Sequence, residues 1–159
     1  MSKEKYPITN AIRHLRQFNI GFTPYEYEYT EKGGTHQTAI ELGVDEHSVI
    51  KTLIFDTDIG LICVLMHGDK EVSTKELARI IGVKKVEPAQ EKIAFNHTGY
   101  QFGGTSPFGH RKTIPIYIEK SILELNEIYI NGGKRGFIIK INPQDLLKVL
   151  NPTKVEVAI

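Results

Sequence analysis

The segment Ile50-Lys51-Thr52-Leu53-Ile54-Phe55, then Asp56-Thr57-Asp58-Ile59-Gly60, then Leu61-Ile62-Cys63-Val64-Leu65-Met66, decides the fold. Two mostly apolar runs of strand length flank a polar turn that ends in glycine, the pattern of a β-hairpin. Residues alternate between the faces of a strand, and here both faces carry apolar side chains, so both are expected to be mostly buried. Lys51 is the exception. It shares a face with Leu53 and Phe55, while Ile50, Thr52 and Ile54 take the other.

Helix and strand signals alternate on either side of this hairpin. Thr9 or Asn10 caps a first helix whose residues Ile8, Ile12, Leu15 and Phe18 share a face. From Phe22 the period becomes two, with Tyr25, Tyr27 and Tyr29 opposite Glu26 and Glu28, and Pro24 marks an edge or a strand start. A helix from Thr35 to Leu42 stops at Gly43, and Asp45 opens another helical turn. After the hairpin, Ser73-Thr74-Lys75-Glu76 is a capping box for a helix closed by Gly82. Val83 to Val86 is extended, and Pro88 suits the first turn of a helix closed near Gly99. Strands follow at Thr113 to Ile118, Glu127 to Ile130 and Phe137 to Ile141. Asn142-Pro143 opens a helix reaching Leu150, and Thr153 to Ile159 adds a last strand. With no repeat or linker, the 159 residues read as a single α/β domain with a mixed sheet.

Composition narrows the function. Apolar residues make up 40% and charged residues 25%, ordinary globular values that argue against disorder. A net charge of +1 excludes a protein that coats long duplexes, though one RNA end needs only a local basic patch. His110-Arg111-Lys112 and Lys84-Lys85 are candidates for guiding such an RNA, or are simply solvated charges. Cys63, the single cysteine, lies in an apolar run and reads as an inert thiol. No Cys/His spacing suits a structural zinc. The polar start Met1-Ser2-Lys3-Glu4-Lys5-Tyr6 is not a signal peptide, and no apolar run spans a membrane, so the chain reads as cytoplasmic.

Three features carry candidate chemistry. Lys51 either snorkels to solvent or meets an anion such as a ligand phosphate, because a buried ammonium needs a partner. Gly103-Gly104-Thr105-Ser106-Pro107-Phe108-Gly109 is either a tight surface turn or a backbone cradle whose N–H groups hold a carbonyl oxygen as it gains charge. Asn131-Gly132-Gly133-Lys134-Arg135-Gly136 is either a hairpin turn with solvated charges or a second cradle near an RNA phosphate. It lacks the spacing of a P-loop and of a dinucleotide fingerprint. The Tyr25, Tyr27 and Tyr29 stripe is half-buried sheet surface, from which one tyrosine could reach a ligand. No Gly-x-Ser-x-Gly elbow is present, and Ser106 has no recognisable triad partners.

The order Ile50-Lys51-Thr52-Leu53, then Gly99-Tyr100 with Gly103 to Gly109, then Gly132-Gly133-Lys134-Arg135-Gly136 resembles the YbaK/EbsC family and the related editing domain of bacterial prolyl-tRNA synthetases. The resemblance spans nearly the whole chain. It implies a mixed β-sheet curled into a partial barrel surrounded by helices. It also implies an aminoacyl-tRNA deacylase that acts in trans on mischarged tRNA(Pro), Cys-tRNA(Pro) foremost with Ala-tRNA(Pro) as the alternative, beside prolyl-tRNA synthetase in a transient complex. No metal or organic cofactor is implied. Lys51 matches the family lysine that holds a phosphate near the tRNA 3′ end, and Gly103 and Gly104 match the backbone facing the aminoacyl carbonyl. Thr105, Ser106 and Pro107 complete that loop. Tyr27 matches a pocket tyrosine, and Asn131, Gly132, Gly133, Lys134 and Arg135 form the second cradle. The family often has serine at Asn131 and aspartate at Ile138. The rival readings are a non-catalytic tRNA- or nucleotide-binding module and a regulatory or cell-surface role.

Overall fold

The computed structural model describes residues 5–159; the polar start read at Met1 to Glu4 lies outside them. Five α-helices and eight strands are present among the described residues: α1 Asn10–Gln17, β1 Thr23–Glu26, α2 Gly34–Leu42, β2 Val49–Thr57, β3 Gly60–His67, α3 Thr74–Ile81, β4 Val86–Pro88, α4 Glu91–Thr98, β5 Ile116–Glu119, β6 Ile128–Lys134, β7 Phe137–Ile141, α5 Gln144–Leu150 and β8 Thr153–Val155. The strands make one open mixed sheet in the order β1-β7-β6-β2-β3-β5-β8, with β4 attached to β2 beside this path. The α/β class and the mixed sheet expected from the sequence are both present.

The hairpin read from the sequence is the centre of this sheet. β2 and β3 pair antiparallel from Ile50 opposite His67 to Thr57 opposite Gly60. β3 is buried from Leu61 through His67, which explains its unbroken apolar run. One face of the hairpin, with Ile54, Cys63 and Leu65, packs on Ile12 and Leu15 of α1, Phe108, Ile130, Ile139 and Leu146. The other, with Phe55, Ile62, Val64 and Met66, packs on Leu77 and Ala78 of α3 and on Val155 and Val157. Each fully buried Leu, Ile or Met is worth about 1.5–3 kcal/mol.

The outer edge of β2 is shared by two strands. β6 runs parallel to it at Val49 and Ile50 only. β4 runs antiparallel to it at Phe55 to Thr57 only. Between them, from Lys51 to Ile54, no strand lies against β2.

Three expectations are corrected. Pro88 does not open a helix. It ends β4 opposite Phe55, and α4 begins at Glu91. Phe55 turns its main-chain groups toward β3, so proline's missing N–H costs no ladder bond there. The strand begun near Phe22 ends at Glu26, since β7 offers partners only from Phe137. Beyond it, Tyr27 N–H adds one bond to Gly136 O at 2.9 Å. The strand expected to stop at Ile130 continues to Lys134 through a register shift, because Asn131 Oδ1 accepts from Gly133 and Lys134 N–H.

Thr9 joins two of these levels. Its Oγ1 caps α1 by accepting from Ile12 N–H at 3.2 Å and donates to Gly132 O at 2.5 Å. Thr9→Ala should lower unfolding free energy by about 1–2 kcal/mol in urea titrations, through loss of both a cap and a tertiary bond.

Candidate functional site

A cavity of about 850 Å³ opens beside the uncovered stretch of β2. Its walls bring together residues far apart in sequence: Lys51 and Thr52 from β2, Tyr27 from beyond β1, Phe102, Gly103 and Thr105 from the loop after α4, Asn131 of β6 and Arg135 beyond it. Apolar walls come from Val49, Ile50, Ile54, Phe55 and Ile138. Ile138, where the resemblance suggested an acid, is 4% exposed among Ala39, Val49 and Tyr129.

Charge on the lining is balanced in number. Lys32, Lys51 and Arg135 face Glu31, Glu71 and Glu91. Of these six, Lys51 alone is not exposed. Its side chain is 19% exposed, and its Nζ lies 3.5 Å from Glu71 Oε1, on a side chain 80% exposed. An ion pair with so exposed a carboxylate is weak. Lys51 therefore keeps a half-buried positive charge that an incoming anion can claim. Its side chain is thus mostly covered without being sealed in the core.

The two glycine loops are clasped together rather than forming two separate cradles. Asn131 Nδ2 donates to Gly103 O at 3.1 Å, and Arg135 Nε donates to Phe102 O at 2.9 Å. The Arg135 guanidinium also sits 5.0 Å from the centre of the Tyr29 ring, a cation–π distance. Close approach explains the glycines. A Cβ on Gly104 would meet Arg135 N at 2.8 Å. Gly103 has φ +88°, and a Cβ there would strike the Tyr29 hydroxyl. A Cβ on Gly132 would meet the Phe137 ring at 2.6 Å.

This clasp separates the expected site residues into two sets. Lys51, Tyr27, Gly103, Thr105, Asn131 and Arg135 line the cavity. Gly104, Ser106, Pro107, Gly132, Gly133 and Lys134 do not. Gly104 is buried, and its N–H is spent on Gln101 O at 2.9 Å, so it is not a free donor for an oxyanion. Ser106 is fully buried, and its Oγ accepts from Phe108 N–H at 3.2 Å, closing a turn. Pro107 is buried beside it. Gly132 O accepts from Thr9, Gly133 packs near Tyr100 and Thr9, and Lys134 points outward. Tyr27 shares a hydrogen bond of 2.7 Å with Thr38, and burial raises its phenol pKa, so it stays neutral.

Histidines support the loop from behind. His14 Nδ1 accepts from Gly109 N–H at 2.8 Å, and His110 Nε2 donates to Ser106 O at 2.7 Å. Burial lowers both pKa values from the ordinary 6.5. Burial pushes the Cys63 thiol well up, consistent with an inert core residue. The described lining residues include no Ser, Cys or His. Away from the cavity, His47, His67 and Asp69 come together, which their spacing did not announce. His67 Nδ1 faces His47 O at 2.7 Å and so carries a proton. Its Nε2 meets Ser121 Oγ, and His47 is held by Asp69 at 2.8 Å. These bonds occupy the nitrogens of His67 that a metal would need. Sequence reading also missed Thr52, Glu71 and Phe102 on the lining. Thr52 sat next to Lys51 but carried no pattern of its own.

Two outcomes follow from this geometry. Gly104→Ala should cost about 1–3 kcal/mol by prising the loops apart, while Gly21→Ala, whose added Cβ meets nothing within 4 Å, should be neutral in the same denaturation assay. The second concerns acid. His14 is kept neutral in the fold, and unfolding frees it to take a proton, so its contribution is whole above pH about 6.5 and declines as pH falls below that. Hydrogen exchange at Gly109 N–H, corrected for intrinsic rate, should quicken from pH 7 to pH 5. His14→Asn, which keeps an acceptor near the Nδ1 position, should flatten that change.

The comparisons with known proteins agree with this architecture. The aminoacyl-tRNA editing domain profile matches residues 32–149. A candidate Cys-tRNA(Pro)/Cys-tRNA(Cys) deacylase, EbsC of Enterococcus faecalis, is 31% identical over 151 residues, covering 94% of this chain and 92% of that protein. The proline–tRNA ligase of Desulfotalea psychrophila is 29% identical over 101 residues, which are 62% of this chain but 17% of the ligase. The crystal structure of a candidate trans-editing enzyme for prolyl-tRNA synthetase superposes with TM-score 0.84 at 20% identity, covering 96% of this chain and 99% of that one, and so shares the fold. With most of its length inside the profile and a relative similar from end to end, the chain belongs to the aminoacyl-tRNA editing domain family.

Proposed function

We propose that the protein deacylates mischarged tRNA(Pro) in trans, with cysteinyl-tRNA(Pro) as its foremost substrate. The observation that carries this reading is the half-buried Lys51 ammonium on the wall of a cavity whose lining offers no Ser, Cys or His as nucleophile. A volume of about 850 Å³ exceeds what one amino acid needs and suits an aminoacylated terminal nucleotide. Lys51 would take a phosphate of the 3′ end from its weak pairing with Glu71. Its contribution is positioning, which alone supplies a large part of many rate enhancements. The name of the EbsC relative supports the cysteinyl choice, and the profile supports aminoacyl-tRNA as the substrate class.

Such an ester is activated, so a lining without Ser, Cys or His is tolerable. In cysteinyl-tRNA the substrate's own thiolate attacks the carbonyl carbon. A C–S bond forms, the ester C–O bond breaks, and the tRNA hydroxyl leaves with the proton the thiol gave up. The product is a cyclic thioester. A free thiol has a pKa of about 8.5, so a usable thiolate fraction exists near neutral pH. Alanyl-tRNA would need water in place of the thiol. The apolar walls at Ile50, Ile54 and Ile138 suit a small or sulfur-bearing side chain. An enzyme of this kind works in the cytoplasm beside prolyl-tRNA synthetase, whose own editing domain is the related module.

Deacylation of cysteinyl-, alanyl-, seryl- and prolyl-tRNA(Pro) tests the reading. Cysteinyl ester should be cleaved fastest and prolyl ester spared, with seryl ester slow despite its similar size. Lys51→Ala should lower kcat/KM by about 100-fold, in line with the loss of a positioning contact. Prolyl ester cleaved as fast as the others, or tRNA bound tightly without turnover, would overturn it.

A further inference from the structure

The outer edge of β2 is interrupted between the two strands that share it. β6 pairs with it at Ile50, and β4 takes over at Phe55. Three bonds fix which way each main-chain group points. Gly68 N–H donates to Val49 O on the β3 side. Cys63 N–H donates to Pro115 O, away from β2. Ala89 N–H donates to Ile54 O on the outer side. Odd-numbered residues of β2 therefore bond to β3, and even-numbered residues face outward. Ile50 meets β6, and the carbonyl of Ile54 meets Ala89. Thr52 lies between them, and its N–H and C=O point into the interruption with no strand opposite; the Ile54 N–H faces the same gap.

The side chain of Thr52 is unmatched as well. Its Oγ1 is shielded from solvent and has no hydrogen-bond partner. Thr52 also lines the cavity. Thr52 thus presents an unpartnered hydroxyl and an uncovered main-chain edge at the wall of the site. Buried polar groups are almost always satisfied, so an exception calls for an explanation.

The shape of the vacancy indicates what fills it. An N–H and a C=O on the same edge of one strand residue form one rung of an antiparallel ladder, and a rung is completed by an N–Cα–C=O unit. An aminoacyl ester presents that same unit, with an ammonium in place of the amide. We propose that Thr52 holds the aminoacyl group of the substrate as a single β-bridge: its C=O accepts from the α-ammonium and its N–H donates to the ester carbonyl oxygen. Oγ1 becomes a second acceptor for the ammonium once rotation about χ1 turns it into the interruption. Lys51 and Thr52 then divide the substrate between them, because adjacent strand residues project to opposite faces. The contact also supplies the main-chain donor that Gly104 does not, since Gly104 N–H is bonded within its own turn. This inference rests on the deacylase reading and names the part of the site that recognises an α-amino ester whatever its side chain.

The test uses the full chain, nitrogen-15 labelled, with two stable amide analogues: 3′-deoxy-3′-(L-alanylamino)adenosine and its propionylamino counterpart, which lacks the α-amine. With the alanyl analogue, Thr52 N–H should show the largest chemical-shift change among β2 amides. The propionyl analogue should bind about 10- to 100-fold more weakly, the usual range for losing hydrogen bonds to a charged group. That discrimination should shrink in Thr52→Val and persist in Thr52→Ser. If Lys51 and Gly103 amides respond while Thr52 stays still, or if wild-type protein binds both analogues equally, this inference falls and the deacylase reading stands. If no cavity amide responds to either analogue, both fall. The wild-type measurement decides the matter even if a Thr52 variant fails to fold.

Discussion

Everything at the site depends on how the outer edge of β2 is shared. A strand at the centre of a sheet normally has both edges filled along its length. Here β6 runs parallel to β2 at its start and β4 runs antiparallel to it at its end, and neither covers the middle. Apolar packing on both faces of the hairpin, together with the unbroken ladder to β3, supports β2 across this break. The gap lies beside the cavity. Lys51 is tolerated in an otherwise apolar strand for the same reason: at this break its ammonium opens into a cavity.

The second constraint is the clasp between the two glycine loops. The loop after α4 and the end of β6 approach until backbone meets backbone, and the contact is closed by Asn131 on one side and Arg135 on the other. Glycine is required at these points by space rather than by ligand contact, since the nearest atoms to the missing Cβ groups are protein atoms. Behind the clasp, Tyr100 OH donates to Phe108 O at 2.6 Å, and His14 and His110 bond the neighbouring backbone. These bonds tie the loop facing the cavity to the rest of the fold. A loop held in place in this way would lose less entropy on binding than a free one.

The chemistry of the site is spare. The lining combines one mostly buried cation with exposed carboxylates, hydroxyls and apolar walls, and it carries no Ser, Cys or His among the described residues. This lining is compatible with an aminoacyl ester, which is already activated. It also places the burden of discrimination on shape and on contacts to the amino acid, not on reactive side chains.

Much of the fold was legible in the sequence. The hairpin from Ile50 to Met66, the Ser73 capping box, the glycine stops at Gly43, Gly82 and Gly99, and the alternation of Tyr25 and Tyr27 are local patterns, and local patterns survive in any environment. Lys51 and Gly103 stood out for the same reason: a cation in an apolar strand and a diglycine in a loop are visible without neighbours. What the tertiary structure alone decided is which groups remain free. Pro88 became a strand end because β2 had an edge to cover, and Ser106 and Gly104 spent their polar groups on the loop itself. The main-chain edge of Thr52 stayed uncovered because two strands stop short of it. Hydrogen-bond satisfaction depends on which segments lie opposite one another, and strand order is a property of the folded chain that residue spacing does not encode.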